Sequence, residues 1–152
     1  MLIFAMEIEN LNTMDSLEFC KKMVELRKEN HYVIKDMVVR TDIEDVQIRR
    51  MENGSTNFST GRAILYLSVL NYKIVLSKNG VKKDITSEDE AINLFSYIRK
   101  NENLTYTSFG IHLGFTSTYI KRIEDKNSGL KIDIFLKMTE KFGYDISIIK
   151  NN

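Results

Sequence analysis

The chain repeats itself. Slid along by 72 residues, the separation of Glu52 and Glu124, the sequence lies on itself without a gap. Arg27 then falls on Arg99, Lys28 on Lys100, Ile48 on Ile120, Arg50 on Arg122, Tyr72 on Tyr144 and Ile74 on Ile146. Apolar positions correspond too: Met37 with Phe109, Ile43 with Phe115, Met51 with Ile123, Phe58 with Leu130, Ile64 with Leu136 and Leu70 with Phe142. Self-similarity at a fixed period outranks any single motif, because each copy has to form one supersecondary unit. In a chain of 152 residues the boundaries read as 1–80 and 81–152, one unit each with its flanking strands.

Within a copy the hydrophobic period assigns the elements. Thr13 offers an N-cap, and Leu17, Cys20, Met23, Val24 and Leu26 keep an amphipathic helical period to about Asn30. Two short helical patterns follow at 33–40 and 44–52, parted by Thr41 and Asp42, of which the aspartate tolerates a left-handed turn. Asn53 and Gly54 stop the third helix, and Ser59 caps a fourth that turns Ala63, Ile64, Leu67 and Leu70 inward. The period then changes to two over 72–77, and Asn79-Gly80 predicts a tight hairpin into 81–85. Ser87 with Glu90 reads as a capping box, after which the order begins again. Residues 2–8 and 144–149 read as further strands. The expected fold is mainly α, with a small β-sheet gathered from N-terminal, inter-repeat and C-terminal strands whose edges could also pair two chains into a dimer.

The stretch LTYTSFGIHLGFTSTYIKRIE, 104–124, is the sharpest local signal. Phe109, Leu113, Phe115, Ile120 and Ile123 let two short helices bury one shared apolar side, while Gly114 makes the turn, so the stretch reads as a helix-turn-helix. Other chemistry is thin. His31 and His112 match no metal spacing, no glycine run cradles a phosphate, and no nucleophile has a base at readable spacing, so neither metal, cofactor nor enzymatic activity is expected. A single cysteine, Cys20, sits in an apolar pattern and cannot form an internal disulfide. MLIFAMEI is too short to span a membrane and has no basic leader, so a cytoplasmic protein is expected and the sequons at Asn53, Asn57 and Asn103 are chance matches. A net charge of +1 provides no global basic field, so any DNA affinity has to come from a local patch.

Each half resembles the lambda-repressor/Cro (XRE-like) superfamily of helix-turn-helix domains. The resemblance is carried by LRKEN, IRRMENG and the helix ending LNY in the first half, and by IRKNENLT, LGFTSTYIKRIED and KFGY in the second. It covers roughly 17–76 and 89–148 and implies two tandem domains of that fold. It also implies that Arg27 pairs with Glu52, and Arg99 with Glu124, each joining a first helix to the end of a recognition helix. That helix would enter the major groove of double-stranded DNA, with the helix before it aimed at phosphate. In the second copy Thr105 and Tyr106 take the phosphate-touching Thr-Gln position, and Tyr106 departs from it. Thr116 caps the recognition helix, Ser117, Thr118 and Lys121 would read base edges, Tyr119 and Arg122 flank them, and Lys126 and Asn127 lie in the loop expected along the backbone.

The first copy keeps the scaffold and changes the chemistry. Its recognition helix opens on Glu44, Asp45 and Val46, and two carboxylates there repel an approaching phosphate backbone. Val33 and Ile34 stand where Thr-Gln is usual. Against this, Gln47, Arg49, Arg50, Asn53, Ser55, Thr56 and Arg62 could contact phosphate, and Asp45 could accept from a cytosine amine. The expectation is a DNA-binding transcriptional regulator, a repressor, acting as a pseudo-dimer in one chain, with no separate ligand-sensing domain. The second reading is an antitoxin-like or anti-repressor module whose first copy holds a protein partner.

Overall fold

The computed structural model describes residues 14–152. Along them run α1 (Ser16–Glu29), α2 (Ile34–Thr41), α3 (Asp45–Asn53), α4 (Thr60–Val69), β1 (Tyr72–Lys78), β2 (Val81–Ile85), α5 (Glu88–Asn101), α6 (Tyr106–Leu113), α7 (Ser117–Glu124), α8 (Ile132–Lys141) and β3 (Asp145–Lys150). The described residues are mainly helical with a three-stranded antiparallel sheet, as expected of the inter-repeat and C-terminal strands. The strand expected over 2–8 and the cap expected at Thr13 lie outside the described residues.

Caps decide where the helices begin. The Asp15 carboxylate accepts from the Glu18 amide at 2.8 Å and opens α1. At the duplicate position Ser87 accepts from the Glu90 amide at 3.1 Å and opens α5. The expected box at Ser87 is only half formed, because the Glu90 carboxylate takes the Thr86 hydroxyl at 2.6 Å instead of turning back to Ser87. Ser59 caps α4 as expected. With no proline to stop them, helices and loops end on left-handed residues that recur at the repeat interval: His31 and Asn103, Asp42 and Gly114, Gly54 and Lys126, Asn71 and Gly143.

Antiparallel pairing joins the copies. The Thr60 amide donates to the Leu130 carbonyl and the Ile132 amide to the Phe58 carbonyl, each at 2.8 Å, around a bridge of Ser59 with Lys131. In the sheet, of order β2-β1-β3, Val75 lies opposite Ser147, with Ile74 against Ile148 and Leu76 against Ile146 on either side. Ser59 and Lys131 are duplicate positions, and so are Val75 and Ser147. Exchanging the copies therefore returns the same partners in both pairings, so each has its own local two-fold symmetry. The β1–β2 hairpin turns at Asn79 and Gly80, both with positive φ as a type I′ turn requires.

Burial follows the same symmetry. Met37, Ile48, Met51 and Leu67 from the first copy and Phe109, Ile120, Ile123 and Phe135 from the second belong to one apolar cluster, which Ile74, Leu76 and Ile146 of the sheet complete. Val75 is buried as well, although the alternation had placed it opposite the apolar set. Asn57 reaches across the copies to the Asp133 carboxylate at 2.5 Å.

A point of close approach separates the two copies. A Cβ built on Gly110 would lie 2.3 Å from the Phe115 carbonyl oxygen, so α6 can meet the loop into α7 only because that position has no side chain. The first copy carries Val38 there and bonds its turn differently: the Ile43 amide donates to the Thr41 hydroxyl at 3.1 Å, where the Phe115 amide donates to the Gly110 carbonyl at 2.8 Å. Gly110→Ala is expected to force the α6–α7 turn apart and to cost about 1–3 kcal/mol of overpacking strain, measured as a lowered denaturant midpoint with an unchanged m-value.

Candidate nucleic-acid interface

Two short helices, α3 and α7, occupy equivalent places and are anchored alike. Ile48 and Met51 bury the inner side of α3, and Ile120 and Ile123 that of α7. At the end of α3 the Glu52 carboxylate accepts from Arg27 Nε at 2.8 Å and Nη2 at 2.9 Å; at the end of α7 Glu124 accepts from Arg99 Nε at 2.5 Å and Nη2 at 2.9 Å. The third guanidinium nitrogen closes the loop before the next helix in both copies, donating to the Tyr32 carbonyl at 2.9 Å and the Leu104 carbonyl at 3.0 Å. All four side chains are close to buried, and the carboxylates hold both guanidinium pKa values above the ordinary range. One arginine thus fixes the end of one helix and the entry to another.

Each glutamate needs a further donor, and the copies supply it from different helices. The buried Tyr66 hydroxyl on α4 donates to Glu52 at 2.7 Å, and the Ser96 hydroxyl on α5 donates to Glu124 at 2.7 Å. Where the first copy has Tyr66 the second has Met138, and where the second has Ser96 the first has Val24. No sequence pattern singled out Tyr66, Ser96 or Gly110. Gly110 had a readable signal in its place four residues before Gly114, whereas the two hydroxyls show only once α1, α4 and α5 are folded around the ion pairs.

The outer side of α7 is polar and basic. Thr118, Lys121 and Arg122 are exposed there, Ser117 is half-buried, and Thr116 spends its hydroxyl on the Tyr119 amide as the expected cap. Lys121 also contacts Asp125 at 2.6 Å, and this carboxylate raises the ammonium pKa. That contact is exposed and solvent-screened, so the ammonium can exchange the carboxylate for another anion. Lys126, with φ of 61°, lies 3.4 Å from Asp89, and Asn127 is exposed beside it. Thr105 caps α6 through a reciprocal pair of bonds with Ser108.

Two expected contact residues have structural partners. The Tyr119 ring is half-buried against Phe115, at 5.3 Å between centroids. The Tyr106 ring lies 4.3 Å from the Arg99 guanidinium carbon and so supports the ion pair as well as opening α6.

The equivalent surface of the first copy is more apolar. Arg49, the duplicate of Lys121, pairs back to Asp45 at 2.6 Å, whereas Lys121 pairs forward. Val46 is 53% exposed and Val33 is 60% exposed at the positions of Thr118 and Thr105. Arg62 donates to the half-buried Gln47, Asn53 accepts from the Ser55 amide, and Thr56 is half-buried near the start of α1. Arg50 is exposed like Arg122.

Neither a family model, nor a curated protein, nor a solved structure matches the chain. Among the described residues no group of three His, Cys, Asp or Glu side chains could hold a metal, and no helix is long and apolar enough to cross a membrane.

Two stability outcomes follow from the anchors. Arg99→Ala strands the Glu124 carboxylate and is expected to cost about 3 kcal/mol, read as a denaturant midpoint. Burial first, and then the bond to Glu52, holds the Tyr66 phenol above its ordinary value near 10. A raised folded-state pKa contributes stability that is present in full below the unfolded value and lost as pH rises past it. Tyr66→Phe should therefore be less stable by about 1–2 kcal/mol at about pH 8, and should lose less of its remaining stability than the parent between about pH 8 and about pH 10.5.

Proposed function

We propose that the protein binds double-stranded DNA in a sequence-dependent way and regulates transcription as a repressor, each chain acting as a fused pseudo-dimer of lambda-repressor/Cro-type units. The observation that carries this reading is the pair α3 and α7: equivalent short helices, anchored by identical arginine–glutamate pairs, in copies joined by symmetric pairings. Paired units of this kind read half-sites about one helical turn, ~34 Å, apart. The exposed Thr118, Lys121 and Arg122 favour base and phosphate contact by the second copy.

Unlike faces imply unlike half-sites. The second copy discriminates bases, while the first, with valines at Val33 and Val46 in place of hydroxyls and carboxylates at Glu44 and Asp45, adds mainly phosphate contact through Arg50 and its neighbours. Those same exposed valines beside Glu44 and Asp45 favour a second reading, in which the first copy holds a protein partner in the manner of an antitoxin or anti-repressor.

Selection of binding sites from a random duplex pool, followed by footprinting, tests both. The expected site has one conserved half and one permissive half. Thr118→Ala with Lys121→Ala should cost about 2–4 kcal/mol of specific affinity, and Glu44→Lys with Asp45→Lys should strengthen binding and steepen its salt dependence. Unchanged footprints in the first double variant would remove the DNA reading. Loss of a co-purifying protein in the second, with no salt-dependent DNA binding by the parent, would establish the other.

A further inference from the structure

A groove of about 670 Å³ lies between the β1–β2 hairpin and α5, away from α3 and α7. Its floor is apolar, formed by the buried Leu76 and Leu94, and the Tyr97 and Tyr144 rings stand over it. Val81 on the hairpin is 72% exposed and Tyr97 is 57% exposed, so two large apolar surfaces meet water side by side.

The duplication supplies an internal control. The exposed stripe of α5 that borders the groove is Asn93, Tyr97 and Asn101; the same stripe of α1 is Lys21, Glu25 and Glu29, exposed and charged, with Lys22 in an ion pair to Glu25. In one copy this exposed face carries charges. In the other it has exchanged them for two amides and a ring, and it is this copy that the hairpin overhangs.

The charge in the groove is positive and comes from the hairpin. Lys78 is committed: its ammonium donates to the Phe142 carbonyl at 2.8 Å, lies 4.0 Å from Glu102 and sits 5.0 Å from the centroid of the Tyr144 ring. Lys83 is exposed, and no ion pair involves it among the described residues. An apolar floor, aromatic sides, orienting amides and one available cation define a site for a small molecule of matching chemistry.

We infer that this groove binds a flat aromatic carboxylate, its ring between Tyr97 and Val81 and its carboxylate at Lys83. Titration of the full-length 15N-labelled protein with 2-naphthoate, beside the neutral 2-naphthamide, is the test. Saturable amide shifts confined to the hairpin and α5 are expected, with naphthoate at least about ten-fold tighter than the amide. Lys83→Gln should erase that preference and Tyr97→Ala should weaken both ligands about ten-fold; both side chains are exposed, and an unchanged melting temperature confirms that the fold is kept. Unsaturable shifts, shifts centred on α7, or a preference unaltered in Lys83→Gln would each overturn the assignment. So would ligand-free shifts of the same amides with protein concentration, which would give the groove to a second copy of the chain.

Discussion

The structure depends on two stretches of backbone meeting their own duplicates head to tail. Main-chain pairing around Ser59 and Lys131, and again around Val75 and Ser147, is indifferent to side-chain identity. Each copy can therefore change its surface while the geometry between copies stays put. An antiparallel pair centred on equivalent residues is how two separate identical chains associate. Here a hairpin and the turn into α5 make that association intramolecular, so it does not depend on concentration.

The arginine–glutamate pairs do for each copy what the backbone pairing does for the whole. Helices of eight or nine residues are too short to hold themselves in water. Two buried apolar residues per helix provide attachment without fixing direction. The bidentate bond from Arg27 or Arg99 adds the direction, and its third nitrogen ties down the loop before the preceding short helix. An ion pair this far from water contributes more to geometry than to net stability.

Most of the architecture was legible because it rests on local rules applied twice. The change of period after Asn71, the Asn79-Gly80 turn and the caps at Ser59 and Thr116 follow from residue type and spacing, both ion pairs were what the family resemblance implied, and the 72-residue offset made each reading check the other. What escaped depends on contacts between segments far apart in sequence. Tyr106 was read only for its place at the start of a helix, with no sign that Arg99 would lie over its ring, and nothing local shows that Thr60 will bond to Leu130. Asp15 caps α1 without having been singled out, and Glu90 found Thr86 a better partner than Ser87. In the candidate interface, the polar side of α7 was plain in the sequence, but the opposite directions in which Arg49 and Lys121 find their carboxylates required the folded side chains.

The hydroxyls of Tyr66 and Ser96 bear on the history of the molecule. Two copies that began alike now satisfy the same carboxylate from opposite directions, one from its fourth helix and the other from its first. If neither glutamate was ever left without a hydroxyl donor, at least one of the two copies descends from a form that carried both. The halves have consequently become non-interchangeable parts: transplanting the fourth helix alone would leave one glutamate crowded and the other short of a donor. Halves that match along the backbone no longer match in the chemistry around these two carboxylates.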